Sequence, residues 1–204
     1  EWYLDGALVA DAVSNTLDSS KTTAGQEVYA VVTPSDAYDA GDSVTLPTLT
    51  ITNSLPSVVS ISLDNTAPKT NDDITVVAHL EDLDSEQPLS ATIEWYDGTT
   101  LLDSATTTSD SSQAVSHMLN SELFSKDAQI SVTVTPFDGI ESGTALTSES
   151  IDILNTPPEL LDVVLTYSDS LYNDSSVNCT ATYTDQDNDP IVETYSWSDG
   201  SEGS

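Results

Sequence analysis

ISVTVTPFDG, residues 130–139, places Ile130, Val132 and Val134 on alternate positions and closes with a proline and an Asp-Gly turn. A period of two belongs to a β-strand with one face in a core and the other in water. The same arrangement stands 102 residues earlier as VYAVVTPSDA, residues 28–37. At the same shift, TLTITNSLPS at 48–57 returns as SIDILNTPPE at 150–159. The only tryptophans, Trp2, Trp95 and Trp197, lie in EWYLDG, EWYDGT and YSWSDG. DLDSEQP at 82–88 returns as DQDNDP at 185–190, one residue shorter, and the run from Pro88 to Trp95 matches that from Pro190 to Trp197. Four blocks recurring in one order make an internal repeat, and its length is that of a domain rather than a solenoid turn.

The Asn/Pro segments NSLPS (53–57) and NTPPE (155–159) follow a strand each and read as linkers. They divide the chain into 1–55, the C-terminal half of one domain, 56–157, a complete domain, and 158–204, the N-terminal half of another. The opening EWYLDG reads as mid-strand, so the chain is expected to be an excerpt from a longer array. Within 56–157 the period stays at two. VVSISL (58–63) is a first strand, and Ile74, Val76, Ala78 and Leu80 mark a second. Ala91, Ile93 and Trp95 mark a third, Ala114–Leu119 a weak one, and Ile130, Val132 and Val134 a clean one. Leu146, Ile151 and Ile153 mark the last. A serine/threonine-rich stretch separates the third strand from the weak one. Short strands with turns every 8–12 residues and no helical period predict an all-β protein of tandem Ig-like antiparallel β-sandwich domains.

A tryptophan on the third strand, V-x-V-x-V-T-P-x-D-G near the end and N-T-P-P linkers together resemble the Ig-like repeats of bacterial and archaeal surface proteins. That broad group includes cadherin-like, PKD-like and fibronectin-III-like modules. The cysteine pair of antibody-type domains is absent, and the PKD run of W-D-F-G-D-G survives only as WYDGT and WSDGS. The resemblance implies an extracellular structural role at the cell surface, as a spacer in a stalk, sheath or filament.

Composition narrows the partners. The chain of 204 residues carries 35 acidic residues against three lysines, a formal charge of −32. With no basic patch, nucleic acid and anionic membrane surfaces are not expected partners. No apolar run reaches the ~18 residues of a membrane-spanning helix. The single cysteine, Cys179, excludes an intramolecular disulfide and a cysteine zinc cluster. Bound cations are then the candidate staple.

In a sandwich of this type the loops 81–89 and 136–144 and the linker 53–57 share one end. That end gathers Asp82, Asp84, Glu86, Asp138 and Asn53, with Glu141 nearby. In the last unit Asp185, Asp187 and Asp189 stand beside Asn155. Alternating acids in an extended loop can turn their side chains to one cation, and calcium takes six to eight oxygens from carboxylates and carbonyls. The arrangement resembles the cadherin use of calcium to stiffen a linker. A solvated acidic turn is the competing reading, and EF-hand spacing is not met.

Other residues receive structural readings. The tryptophans and Cys179, in the slot of Val76, are expected in the core. His79 and His117 are expected in water. Sequons stand at Asn173 and Asn178, and no enzyme motif occurs. The expected function is an extracellular structural repeat stiffened by calcium, with neighbouring repeats as partners and self-assembly into a filament or sheath open. The alternative is an adhesin or carbohydrate-binding module, for which Tyr3, Tyr29, Tyr38, Tyr96 and Phe137 are the aromatic candidates.

Overall fold

A computed structural model of the chain describes residues 1–84, 89–167, 170–172, 175–197 and the backbone of 202–203. The first unit contains β1 (Trp2–Leu4), β2 (Ala7–Leu8), β3 (Glu27–Val32), β4 (Val44–Thr45) and β5 (Leu49–Thr50). The middle unit contains β6 (Ser57–Leu63), β7 (Ile74–Glu81), β8 (Ser90–Asp97), β9 (Thr100–Thr108), β10 (Ala114–Leu119), β11 (Gln129–Phe137), β12 (Leu146–Thr147) and β13 (Ile151–Asp152). The last contains β14 (Glu159–Tyr167), β15 (Val177–Thr184), β16 (Tyr195–Ser196) and β17 (Glu202–Gly203). All paired strands are antiparallel, and the fold is all-β.

In the middle unit one sheet runs β10–β7–β6 and the other β12–β11–β8–β9, with β13 also on β11. The alternation in sequence becomes alternation in burial. Ile74, Val76 and Ala78 of β7, Ile93 and Trp95 of β8, and Ile130, Val132 and Val134 of β11 are all fully buried in one cluster. Their polar neighbours face water, which gives a sandwich-like pair of sheets with a single core. Burying each of these aliphatic side chains contributes about 1.5–3 kcal/mol. Trp95 fills the centre, and its indole N–H is buried with no hydrogen-bond partner among the described residues.

Sequence repeats become geometric repeats. Trp2 pairs with Ala30 as Trp95 pairs with Val132. The bulge between Val58 and Ser60 against β7 returns between Leu160 and Asp162 against β15. A 3-10 turn capped by Asn120 precedes β11, and one capped by Asp18 precedes β3. The left-handed position after it is Asp127 (φ 67°) in one unit and Gly25 (φ 85°) in the other.

Several expectations need correction. The serine/threonine-rich stretch after Trp95 forms β9, a nine-residue strand on β8. Its polar residues suit a sheet edge with little apolar burial, so no hydrophobic alternation announces it. His79 is exposed, but His117 is half-buried and its Nε2 lies 2.9 Å from Asp103 on β9. Trp197 is 42% exposed and Cys179 is only half-buried, whereas their counterparts Trp95 and Val76 are fully buried.

Candidate metal centre at the unit junctions

The incoming linker of the middle unit is held by carboxylates from two loops. Asn53 donates its side-chain amide to Asp138 Oδ2 at 2.8 Å, and the Ser54 backbone N–H donates to Asp84 Oδ2 at 2.5 Å. The Asp84 N–H in turn donates to Asp82 Oδ1 at 2.7 Å. Asp138 closes a turn after β11, its Oδ1 accepting the N–H groups of Ile140 and Glu141, both at 2.7 Å. Asp36 builds the same turn in the first unit with Tyr38 and Asp39. Aspartate suits this role because its short side chain accepts from the backbone two and three residues on.

Asp138 is buried, 4% exposed. Burial pushes its carboxyl pKa up, but the bonds from Asn53, Glu141 and Ile140 outweigh it and hold the group below its ordinary value. Glu141 itself is exposed, and Glu86 lies outside the described residues. Gly143 completes this end. A Cβ there would stand 1.7 Å from the carbonyl oxygen of Pro56, so only glycine lets the turn press on the linker.

The next junction repeats the pattern one unit later. The Thr156 N–H donates to Asp187 Oδ2 at 2.7 Å, and the Asp187 N–H donates to Asp185 Oδ1 at 2.9 Å. Asn155 is exposed, and the backbone of Thr156 makes the contact with the acidic loop. The Asp189 N–H also donates to Asp185 Oδ1, at 3.2 Å, across the left-handed Asn188 (φ 56°). Asp185, Asp187 and Asp189 bring three carboxylate oxygens within 4.8 Å of one another. That span is about twice a calcium–oxygen bond of roughly 2.4 Å, so the three can ligate one ion. Among the described residues no other acidic, histidine or cysteine triplet converges in this way. Asp82, Asp84, Asp138 and Asn53 tie the first junction together, and the counterpart of Asp189 there falls within 85–88, outside the described residues.

Two further details shape the site. Asp82 Oδ2 and Asp185 Oδ2, the same oxygen in the two copies, are both buried and find no hydrogen-bond partner among the described residues. The second detail was not legible in the sequence: Lys126 of the middle unit donates to both carboxylate oxygens of Asp189, at 2.7 and 2.6 Å. The bond to Asp189 raises the Lys126 pKa, which keeps the ammonium charged. In the first unit the repeat places Ala24 at this position, so the pairing is not a repeat property and no motif signals it.

Among the aromatics, Tyr3 and Tyr29 stack on each other with ring centres 4.9 Å apart, while Tyr38 is exposed. No helix among the described residues is long and apolar enough to cross a membrane. No protein-family model and no curated protein sequence matches the chain.

Proposed function

We propose that the chain is a run of Ig-like modules from an extracellular structural protein, with calcium closing the junctions between units. The observation that carries this reading is a buried carboxylate oxygen, without a hydrogen-bond partner among the described residues, that recurs at Asp82 and Asp185. A buried carboxylate oxygen without a donor is costly, and recurrence at the same loop position points to a shared counter-charge. A divalent cation at Asp185, Asp187 and Asp189 offsets two of their three negative charges and completes its shell with carbonyls and water. The Thr156 N–H sits on Asp187, so an ion held there fixes the linker to the loop and limits bending between units.

The mechanism is mechanical, with stiffness rather than catalysis as the output. Adding calcium to the metal-free protein should raise its melting temperature and lengthen it in small-angle scattering, with chelator reversing both. At a free concentration one hundred times Kd, binding contributes about 2.7 kcal/mol. Asp185→Asn combined with Asp187→Asn should remove the response of the last unit. Identical melting and scattering curves in calcium and in chelator sink the reading.

A further inference from the structure

Of the nine prolines in the chain only Pro190 follows an aspartate, and one of the three lysines reaches that aspartate from another unit. Lys126 Nζ lies 2.7 and 2.6 Å from the two carboxylate oxygens of Asp189. The nitrogen therefore stands within about 3 Å of the Cγ that joins them, a distance from which it can attack that carbon. Neither partner recurs at the junction between the first and middle units. The repeat puts Ala24 at the place of Lys126, and the residue before Pro88 is Gln87. The lysine and the Asp–Pro bond are present together at one junction and absent together at the other. An ion pair alone would have no use for the proline.

The loop also loads this carboxylate. Asp185, Asp187 and Asp189 bring oxygens within 4.8 Å of one another, so their charges repel, and consuming one of them relieves the crowding. The Asp189 N–H is held by Asp185 Oδ1 at 3.2 Å, which fixes the backbone beside the bond. An aspartate carboxylate can close a five-membered ring on its own backbone carbonyl carbon. Before proline the leaving nitrogen is that of a tertiary amide, which departs as a secondary amine once it takes a proton.

We propose that the protein exchanges its Asp189–Pro190 peptide bond for an Asp189–Lys126 isopeptide bond, which joins the middle and last units covalently. One Asp189 carboxylate oxygen attacks the Asp189 backbone carbonyl carbon and forms a cyclic anhydride. The C–N bond to Pro190 breaks, and the proline nitrogen takes a proton given up by the Lys126 ammonium. The Lys126 amine so formed attacks Cγ of the anhydride. The Nζ–Cγ amide forms, the bond from Cγ to the ring oxygen breaks to leave the Asp189 α-carboxylate, and the proton shed by Nζ passes to the Pro190 amine. Atoms and charges balance with no water, oxidant or cofactor consumed. Lys126 acts first as acid and then as nucleophile, which suits an ammonium held against the reacting carboxylate. A salt-sensitive ion pair becomes a covalent seam, and a new chain start is left at Pro190.

The exchange needs no cation, and its test is run in chelator, so it and the preceding reading fail separately. The chain is incubated at neutral pH and followed by intact-mass and peptide mass spectrometry. Two pieces should appear on denaturation, one starting at Pro190 and one ending at Asp189 that is lighter by one water than its hydrolysed form. Digestion at lysine should then spare Lys126 and yield a single peptide containing the Lys126–Asp189 link. Both side chains are partly exposed, so substitutions there leave the core intact. Lys126→Gln should slow the break by at least about a hundredfold. Lys126→Arg keeps the positive charge and should give no cross-link. An intact wild-type chain after weeks overturns the proposal, as does an unchanged rate in Lys126→Gln. So do an equally fast break in guanidinium, where Lys126 no longer meets Asp189, and a first piece of fully hydrolysed mass, which is ordinary Asp–Pro hydrolysis.

Discussion

Gly143→Ala is the sharpest test of how the linker is seated. The added Cβ would lie 1.7 Å from the Pro56 carbonyl oxygen and 2.8 Å from its carbonyl carbon, the first being half of an ordinary 3.4 Å contact. Both atoms are backbone, and Pro56 is fully buried, so no rotamer change relieves the overlap. The linker or the turn must move, and with it the Gly143 N–H bond to the Pro136 carbonyl at 2.9 Å and the Asn53–Asp138 bond. Overpacking of this kind costs about 1–3 kcal/mol, and losing a buried hydrogen bond adds about 1 kcal/mol. The expected total is about 2–4 kcal/mol. For a unit of about 100 residues that lowers the melting temperature by roughly 10–20 °C. Gly41 is the internal control, because it occupies the same turn in the first unit and a Cβ there meets only Pro34, nearest at Cγ, 3.1 Å away. Gly41→Ala should therefore shift melting by no more than a few degrees. Calorimetry on both variants decides the matter, and equal small shifts refute a linker seated against Gly143.

Val134→Ala, at a fully buried position, should cost about 1.5–3 kcal/mol, whereas Val32→Ala at the half-exposed counterpart should cost under about 0.5 kcal/mol in urea denaturation. Asp138 has a depressed pKa in the folded protein, so its stabilisation is fully present above the unfolded value near 3.8 and is lost as pH falls through the lower folded value. The stability gap between wild type and Asp138→Asn should accordingly hold at neutral pH and close below about pH 4; a gap constant down to pH 2 counts against the assignment. Lys126→Met removes the ammonium that shares Asp189, so calcium titration should show affinity raised by up to about fivefold, and a weaker or unchanged affinity contradicts that competition.

Alternation made the architecture readable because each buried strand of the middle unit carries an unbroken apolar face: Ile74 to Leu80 and Ile130 to Val134 are visible without coordinates. β9 was not, since its apolar residues, Leu101, Leu102 and Ala105, do not alternate and the rest are Thr, Ser and Asp on a sheet edge. At the junction, aspartates on alternate positions were readable as a loop that folds around something. What the sequence could not convey is that Ser54 and Thr156 hold those loops through backbone N–H groups, which every residue but proline has. Nor could it convey Lys126 reaching Asp189 from 63 positions away, where neither spacing nor repetition links the two.

The two linkers of the middle unit are fastened at opposite ends of β7, so tension along the chain reaches those fastenings before it reaches the core. The Asn53–Asp138 and Ser54–Asp84 bonds at one end, and the Leu154–Pro68 and Thr70–Thr156 bonds at the other, are few and lie outside the buried cluster. Under load they part first. Three linker residues, 53–55, can then extend by up to about 10 Å while Pro56 stays seated and the sandwich folded. On release the same bonds re-form without a refolding step. In the array proposed above, such seams would act as a short elastic reserve that yields before a unit unfolds.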